Sequence, residues 1–125
     1  WRKKQQLWEY SAPKRQQRIQ SSPAVTDELV VIGSRDKHLH AIDRKTGTLR
    51  WQFATRSGID GSPVITGDRV FFGSGDKNLY CLALSSGEEL WRHNAGQGFT
   101  GSPAVAGGRL VIGTDSSNGR ILCFG

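Results

Sequence analysis

The side chains of this chain that could do chemistry include two histidines, His38 and His40, spaced as His-x-His. Two residues apart in a predicted strand, they point to the same face and could hold a metal ion. No third ligand recurs beside them, and Asn78 and Tyr80 stand at the equivalent positions forty residues later. We therefore interpret both histidines as surface residues of a strand, and the sequence predicts no metal site.

Three carboxylates, Asp36, Asp60 and Asp76, lie in predicted loops at no spacing that is typical of calcium ligands. Asp60 is the best placed of the three, because it precedes Gly61-Ser62-Pro63. This segment leads into the first strand of a sequence repeat described below, and that strand is predicted to line the axis around which the repeats are arranged. We predict that the Asp60 carboxylate caps the amides of its own loop.

Serines and cysteines could supply nucleophiles or metal ligands. The serines that precede proline recur at Ser22, Ser62 and Ser102, which is typical of a repeated turn. Cys81 and Cys123 fit no zinc spacing, and we interpret both as small apolar residues rather than as a disulfide pair. The sequence thus predicts no catalytic, cofactor-binding or metal-binding residue.

These residues are positioned by an internal repeat of 40 residues. Residues 22–61 align with residues 62–101 without gaps at 13 identical positions. Each repeat holds four short apolar runs, separated by turns that contain glycine, and no segment keeps a helical period. Self-similarity of this length with four strands per repeat is typical of a propeller blade.

The sequence therefore predicts an all-β protein: a β-propeller fragment of about three four-stranded antiparallel blades. We place the blade units at residues 7–46, 47–86 and 87–125. In this prediction Leu7–Tyr10 form a fourth strand and residues 121–124 a third strand, which makes twelve strands in all. The two glycines in the turns before the fourth strands, Gly47 and Gly87, are expected to have positive φ.

Charge is concentrated at the start of the 125-residue chain. Its net charge is +6, and residues 1–20 contribute six basic groups against the single acid Glu9. A basic arm of this kind can bind phosphates, but no aromatic stacking pattern accompanies it, so we expect solvated charges and no nucleic-acid partner. No apolar run approaches the length of a membrane span. A chain without Met that begins with Trp1 is expected to be part of a longer protein.

Residues 41–51 resemble the tryptophan-docking motif of quinoprotein-type (PQQ-like) β-propellers, A-x-D-x-x-T-G-x-x-x-W. All five fixed positions match: Ala41, Asp43, Thr46, Gly47 and Trp51. A second, weaker copy keeps Gly87 and Trp91 and has Cys81 in place of alanine. The strand and hairpin before each copy also resemble the family, with Lys37 and Lys77 where glycine is usual.

The motif implies that one indole per blade packs against the neighbouring blade, beside a small residue and a glycine. Asp43 and Thr46 are expected to bond turn amides. We therefore expect Trp51 and Trp91 to be largely buried between blades, and Trp1 to be exposed or poorly ordered.

Resemblance to the BamB-like members of this family implies a non-catalytic scaffold that binds other proteins through its loops. It also implies an extracytoplasmic location, in the periplasm or at the outer membrane. Two alternatives remain open: a fragment of a PQQ-dependent quinoprotein dehydrogenase, or the sensor propeller of a multidomain bacterial protein. Pyrroloquinoline quinone (PQQ) and calcium are expected only for the dehydrogenase. Its family site uses an adjacent Cys-Cys pair that this sequence lacks.

Overall fold

The computed structural model describes residues 4–11 and 18–125. In these residues eleven strands form three antiparallel sheets, in the orders β1-β2-β3-β4, β5-β6-β7-β8 and β11-β10-β9. The strands are β1 Ala24–Val25, β2 Leu29–Gly33, β3 His38–Asp43, β4 Leu49–Ala54, β5 Val64–Thr66, β6 Arg69–Gly73, β7 Asn78–Ala83, β8 Glu89–Asn94, β9 Ala104–Ala106, β10 Arg109–Gly113 and β11 Ile121–Phe124.

The predicted fold class is confirmed, since the described residues contain no helix and the sheets follow the 40-residue period. The second and third strands of each repeat are rich in β-branched and aromatic residues, which suit a pleated surface covered on both sides. In the first two sheets these central strands are almost wholly buried. None of the described residues belongs to a helix that could cross a membrane.

The strand count differs from the prediction at the start of the chain. Residues 7–10 form no strand, and they pair with none of the three described sheets. The sheets also begin one strand later than the predicted units 7–46, 47–86 and 87–125. Each fourth strand pairs with the third strand of its own repeat, as β4 does with β3. Trp1 lies outside the described residues.

Neighbouring sheets pack face to face and enclose the apolar core. The first seam, between the first two sheets, buries Val31 and Leu39 against Phe72 and Tyr80. The second seam packs Phe71 and Leu79 against Leu110 and Ile112 of the third sheet. The first strands of successive sheets also lie next to each other, and their amides are linked across the seams.

Candidate functional site

The first seam is organised around Trp51 in β4. Its indole Nε1 donates a hydrogen bond to the backbone oxygen of Leu84, 2.8 Å away in the turn of the second sheet. Its ring lies against Gly87, where a Cβ atom would stand 2.5 Å from the indole. Gly87 has φ of 76°, a conformation that favours glycine. The ring is partly buried, and it packs against the buried core of the first seam.

Trp8 makes the same contacts on the first sheet. Its Nε1 donates to the backbone oxygen of Arg44 at 2.8 Å, and its ring covers Gly47, whose φ is 75°. The predicted positive φ values of Gly47 and Gly87 are therefore confirmed. Sequence reasoning placed Trp8 in a fourth strand but not among the site residues. Its alignment with Trp51 was the available signal.

The turn that receives Trp8 is held by Asp43. Its Oδ1 accepts hydrogen bonds from the amides of Lys45 and Thr46, and its Oδ2 accepts one from Arg50. The Thr46 amide, above all, lowers the pKa of the Asp43 carboxyl. Thr46 bonds the hydroxyl of Thr48 through its own hydroxyl. These bonds fix the carbonyl of Arg44, which accepts the indole.

At the second seam, Trp91 contacts no glycine-containing turn of the kind that Trp8 and Trp51 contact, among the described residues. Its ring packs at 5.9 Å from Phe71 and 6.2 Å from Phe124, centroid to centroid. Its Nε1 finds no acceptor in the part of the chain that the structure describes. A cavity of about 280 Å³ opens beside it, lined in part by Val105 and Leu110.

The two cysteines are both free, as predicted, but their surroundings differ. Cys81 is fully buried at the position of Ala41, and burial raises the pKa of its thiol. Cys123 was expected to be buried as well, and this is wrong. It is exposed, because none of the described sheets covers its face of the third sheet.

The interpretation of both histidines as surface residues is wrong for His40, which is buried. Its Nε2 lies 2.8 Å from Asp36 Oδ2 and its Nδ1 2.9 Å from the Tyr10 hydroxyl. Burial, above all, lowers the pKa of His40, which favours the neutral ring. In the neutral ring Nε2 carries the proton, because the carboxylate can only accept a hydrogen bond, and Tyr10 then donates to Nδ1. His38 is half-buried and its Nδ1 bonds the backbone oxygen of Asp36.

The second sheet has a matching network without histidine. The Tyr80 hydroxyl donates a hydrogen bond to Asp76 Oδ2 at 2.5 Å, and Asp76 Oδ1 accepts one from the backbone amide of Asn78. Burial and Asp76 together raise the pKa of Tyr80 to about 12. Both carboxylates of the β2–β3 and β6–β7 hairpins are thus occupied inside the fold.

This network predicts a loss of stability at alkaline pH. Between pH 10, the ordinary pKa of Tyr, and about pH 12, the folded state retains a proton that the unfolded state releases. The free energy of unfolding should therefore fall through this window. Tyr80→Phe should cost about 1–3 kcal/mol at neutral pH, because Asp76 Oδ2 loses its short hydrogen bond and keeps only the backbone amide of Arg56. Its stability deficit should then shrink between pH 10 and pH 12. Urea unfolding of both proteins measures this, and a deficit independent of pH would contradict it.

The prediction that Asp60 caps the amides of its own loop is wrong. Its Oδ2 instead pairs with Arg35 Nη2 at 3.0 Å, and its Oδ1 is buried without a partner in the described structure. The Ser-Pro serines link neighbouring sheets. The amide of Ser22 donates to Ser62 Oγ at 2.7 Å, and that of Ser62 to Ser102 Oγ at 2.8 Å.

One end of the sheets, which we call the basic edge, carries the β2–β3, β6–β7 and β10–β11 hairpins, the loops that leave β4 and β8, and the segment around Arg18 beside the first hairpin. These loops share it because each fourth strand ends where the third begins, as His38 opposite Ala54 shows. Lys37 and Lys77 have φ of 71° and 78° at the hairpin tips. The exposed cations of this edge are Arg18, Arg35, Lys37, Arg56, Lys77 and Arg120.

The described residues do not bring together the paired cysteines or the acidic ligands that the family resemblance implies for a PQQ and calcium site. The two cysteines of the chain are far apart in sequence and free. Its seam tryptophans lie against turns or other rings. Among the described residues no three His, Cys, Asp or Glu side chains gather as a metal site.

Comparison with known proteins matches residues 2–120 to the family model described as outer membrane protein assembly factor BamB. No curated protein matches the sequence. Among similar solved structures, BamB from Moraxella catarrhalis has a TM-score of 0.70 and 24% identity, over 86% of this chain and 34% of that chain. The quinohemoprotein alcohol dehydrogenase ADHIIG from Pseudomonas putida HK5 has a TM-score of 0.78 and 18% identity, over 86% of this chain and 19% of that chain.

A quinohemoprotein alcohol dehydrogenase from Comamonas testosteroni has a TM-score of 0.72 and 24% identity, over 80% of this chain and 18% of that chain. The chain thus spans between about a fifth and a third of the length of these structures. At such identities the structural likeness establishes the propeller fold alone. The family model covers nearly the whole sequence, and the chain belongs to the family of the outer membrane protein assembly factor BamB.

Proposed function

We propose that this chain is part of a non-catalytic scaffold that binds other proteins outside the cytoplasm, in the periplasm or at the outer membrane. The observation that carries the proposal is the basic edge, where six exposed cations lie on loops of all three repeats and before the first sheet. The family description, an assembly factor of the outer membrane, supports the same role.

Among the described residues, Arg35 is the one cation of the basic edge that forms an ion pair, with Asp60. Asp36 and Asp76 stand in the same hairpins, but their oxygens are occupied by His40 and Tyr80. Left-handed backbone at Lys37 holds a charged side chain at the tip of its hairpin, where the family usually has glycine. A surface of this kind favours a partner segment rich in Asp and Glu.

Dehydrogenase activity is the rival function, and the side chains argue for the scaffold. The groups that could transfer protons, His40 and Tyr80, are buried and satisfied within the fold. We therefore expect that the chain binds neither PQQ nor calcium. Stoichiometric, micromolar binding of PQQ with calcium in a calorimetric titration would favour the dehydrogenase instead.

The basic edge is tested with a fluorescent Glu-Gly repeat peptide, with its Gln-Gly analogue as the uncharged control. We expect the acidic peptide alone to bind, and more weakly as salt rises. Reversing two charges in Lys37→Glu/Lys77→Glu should weaken binding by roughly tenfold, which is about 1.4 kcal/mol.

The matched control reverses two exposed charges at the opposite end of the sheets, in Lys45→Glu/Arg69→Glu. It has the same net charge and should bind the peptide nearly as well as the unchanged chain. An equal loss in both variants would mean that total charge, not the basic edge, attracts the peptide. Tighter binding of a single-stranded oligonucleotide at the same edge would favour a nucleic-acid partner and overturn the proposal.

A further inference from the structure

The β10–β11 hairpin on the basic edge is longer than its two counterparts. Residues 114–120 separate β10 from β11, whereas residues 34–37 and 74–77 connect the matching strands of the first two sheets. The longer loop contains Asn118-Gly119, and asparagine precedes glycine nowhere else in the sequence. Asparagine is a chemically labile residue, and the residue that follows it controls how readily its side chain reacts.

An asparagine side chain can react with the backbone of the next residue. The backbone nitrogen forms a bond to the side-chain carbonyl carbon, and the side-chain nitrogen leaves as ammonia with the proton of that backbone amide. Water then opens the five-membered imide ring at one of its two carbonyls and leaves aspartate or isoaspartate. The net reaction consumes one water and releases one ammonium ion, without oxidation or reduction. Glycine favours the attack because no Cβ stands beside its nitrogen.

The structure leaves both reacting groups of Asn118-Gly119 free. Both residues are exposed to the water that the reaction consumes. Within the described residues the Gly119 amide donates no hydrogen bond, and the Asn118 side chain makes none. Only the backbone of Asn118 is held, by Ser116 Oγ at 3.2 Å from its amide and by Gln97 Nε2 at 3.3 Å from its oxygen. The side-chain carbon and the glycine nitrogen can therefore approach each other without breaking a hydrogen bond of the fold.

The other two asparagines of the chain are protected in different ways. Asn78 is buried in β7. Asn94 is exposed, but the amide that would attack it, that of Ala95, donates a hydrogen bond to the backbone oxygen of Lys77 at 2.9 Å. Reaction at either residue must first break contacts of the fold, so Asn118 is the asparagine that reacts most readily.

Exposure of a hairpin tip is general on the basic edge. Lys37 and Lys77 occupy the tips of the other two hairpins and are exposed, although a fourth strand and its loop lie beside each of them. The amides of Thr55 and Ala95 in those loops bond the backbone oxygens of the two lysines and leave the tips open. Access of water to Asn118 thus follows from its place at a hairpin tip.

We infer that Asn118 deamidates spontaneously in the folded protein, so that the basic edge acquires a negative charge as the molecule ages. The hairpin carries one acid and one base, Asp115 and Arg120, and the new carboxylate makes it anionic. The net charge of the chain falls by one, from +6 to +5.

The new carboxylate lies near a cation of the basic edge. The side chain of Gln97 links the two positions, because its Nε2 donates to the backbone oxygen of Asn118 and its Oε1 accepts from Arg120 Nε at 3.3 Å. A carboxylate here competes with the acidic side chains of a partner for Arg120, so the aged form binds acidic segments more weakly. This consequence rests on the proposed function of the basic edge, whereas the reaction itself does not.

The reaction is tested by incubating the 125-residue chain in warm, mildly alkaline buffer and digesting denatured samples with trypsin. Cleavage after Arg109 and Arg120 releases residues 110–120, in which Asn118 has the single amide side chain. We expect this peptide to gain the mass difference between an amide and a carboxyl group, and to separate into aspartate and isoaspartate forms. A site that needs no unfolding should react within about tenfold of the rate in a free synthetic peptide of residues 110–120.

Asn118→Gln and Asn94→Gln are matched variants, because both replaced residues are exposed. Peptide 110–120 should stay free of conversion at position 118 in Asn118→Gln, since glutamine must close a larger ring, and should convert at the original rate in Asn94→Gln. Circular dichroism verifies that both variants fold. The inference is overturned if peptide 110–120 of the folded chain stays unmodified while its free counterpart converts, or if Asn78 or Asn94 reacts faster than Asn118.

The effect of the new charge is measured with the Glu-Gly repeat peptide. The aged chain and Asn118→Asp should bind it about twofold more weakly. Ser85→Asp adds the same charge to an exposed turn at the opposite end of the sheets and should bind as the unchanged chain does. If Asn118→Asp binds normally while Lys37→Glu/Lys77→Glu binds weakly, the effect of ageing on binding is overturned. If neither change weakens binding, the proposed function fails, and conversion of peptide 110–120 still decides the reaction.

Discussion

Replacing Trp51 with alanine should lower the free energy of unfolding by about 3 kcal/mol. The change removes the indole that packs between the first two sheets and leaves a cavity there. It also strips the Leu84 carbonyl of its hydrogen-bond donor. We place the loss near the lower end of the range for buried tryptophan, because the ring is half-buried. Urea unfolding at one fixed protein concentration measures it.

Two further variants separate the contributions. Trp51→Phe keeps most of the apolar contact and loses the hydrogen bond, so it should cost about 1 kcal/mol. Trp91→Ala removes an indole that borders a cavity rather than a glycine turn, and should cost less than Trp51→Ala. Equal losses at Trp51 and Trp91 would show that the turn contributes nothing. The docking role that the family resemblance assigns to the motif stays a prediction until these losses are measured.

Replacing Gly87 with alanine should cost about 3 kcal/mol or more, from two causes. Its φ of 76° is unfavourable for any residue with a Cβ, by about 1–2 kcal/mol. The new methyl group would also stand 2.5 Å from the Trp51 ring and force the seam apart, at about 1–3 kcal/mol.

Gly67→Ala is the matched control, because Gly67 also has a positive φ, 58°, but no atom within 4 Å of an added Cβ. It should cost about 1–2 kcal/mol, the backbone contribution alone. Thermal or urea unfolding of both variants isolates the steric effect of the indole. If both cost the same, the close approach of Trp51 to Gly87 does not limit the packing of the sheets.

The sequence predicted the sheets well because repetition made each element visible several times. Strands β6 and β10 lie forty residues apart and both end in glycine. A short apolar run that could be either strand or helix is therefore identified as a strand by its copies in the other repeats. The same reasoning failed for residues 7–10. A local pattern shows that a segment can be a strand, but only a free sheet edge makes it one, and the edge is a property of the whole assembly.

The side-chain contacts were harder to predict for a similar reason. His40 resembles a surface residue when compared with Tyr80 alone, since a strand pattern does not show which face another sheet covers. It is buried because Tyr10, thirty residues earlier, closes over it. Asp60 turns to Arg35 through a contact between separate loops. Local turn chemistry, by contrast, was enough to anticipate the positive φ of Gly47 and Gly87.

The serine series has a consequence for how such a chain can lengthen. Each seam pairs an amide with the hydroxyl of the residue forty positions later, first Ser22 with Ser62 and then Ser62 with Ser102. A duplicated segment of that length therefore brings its own donor and its own acceptor. Inserting or deleting one whole repeat therefore preserves this serine link at every junction, although the apolar contacts of the seams differ.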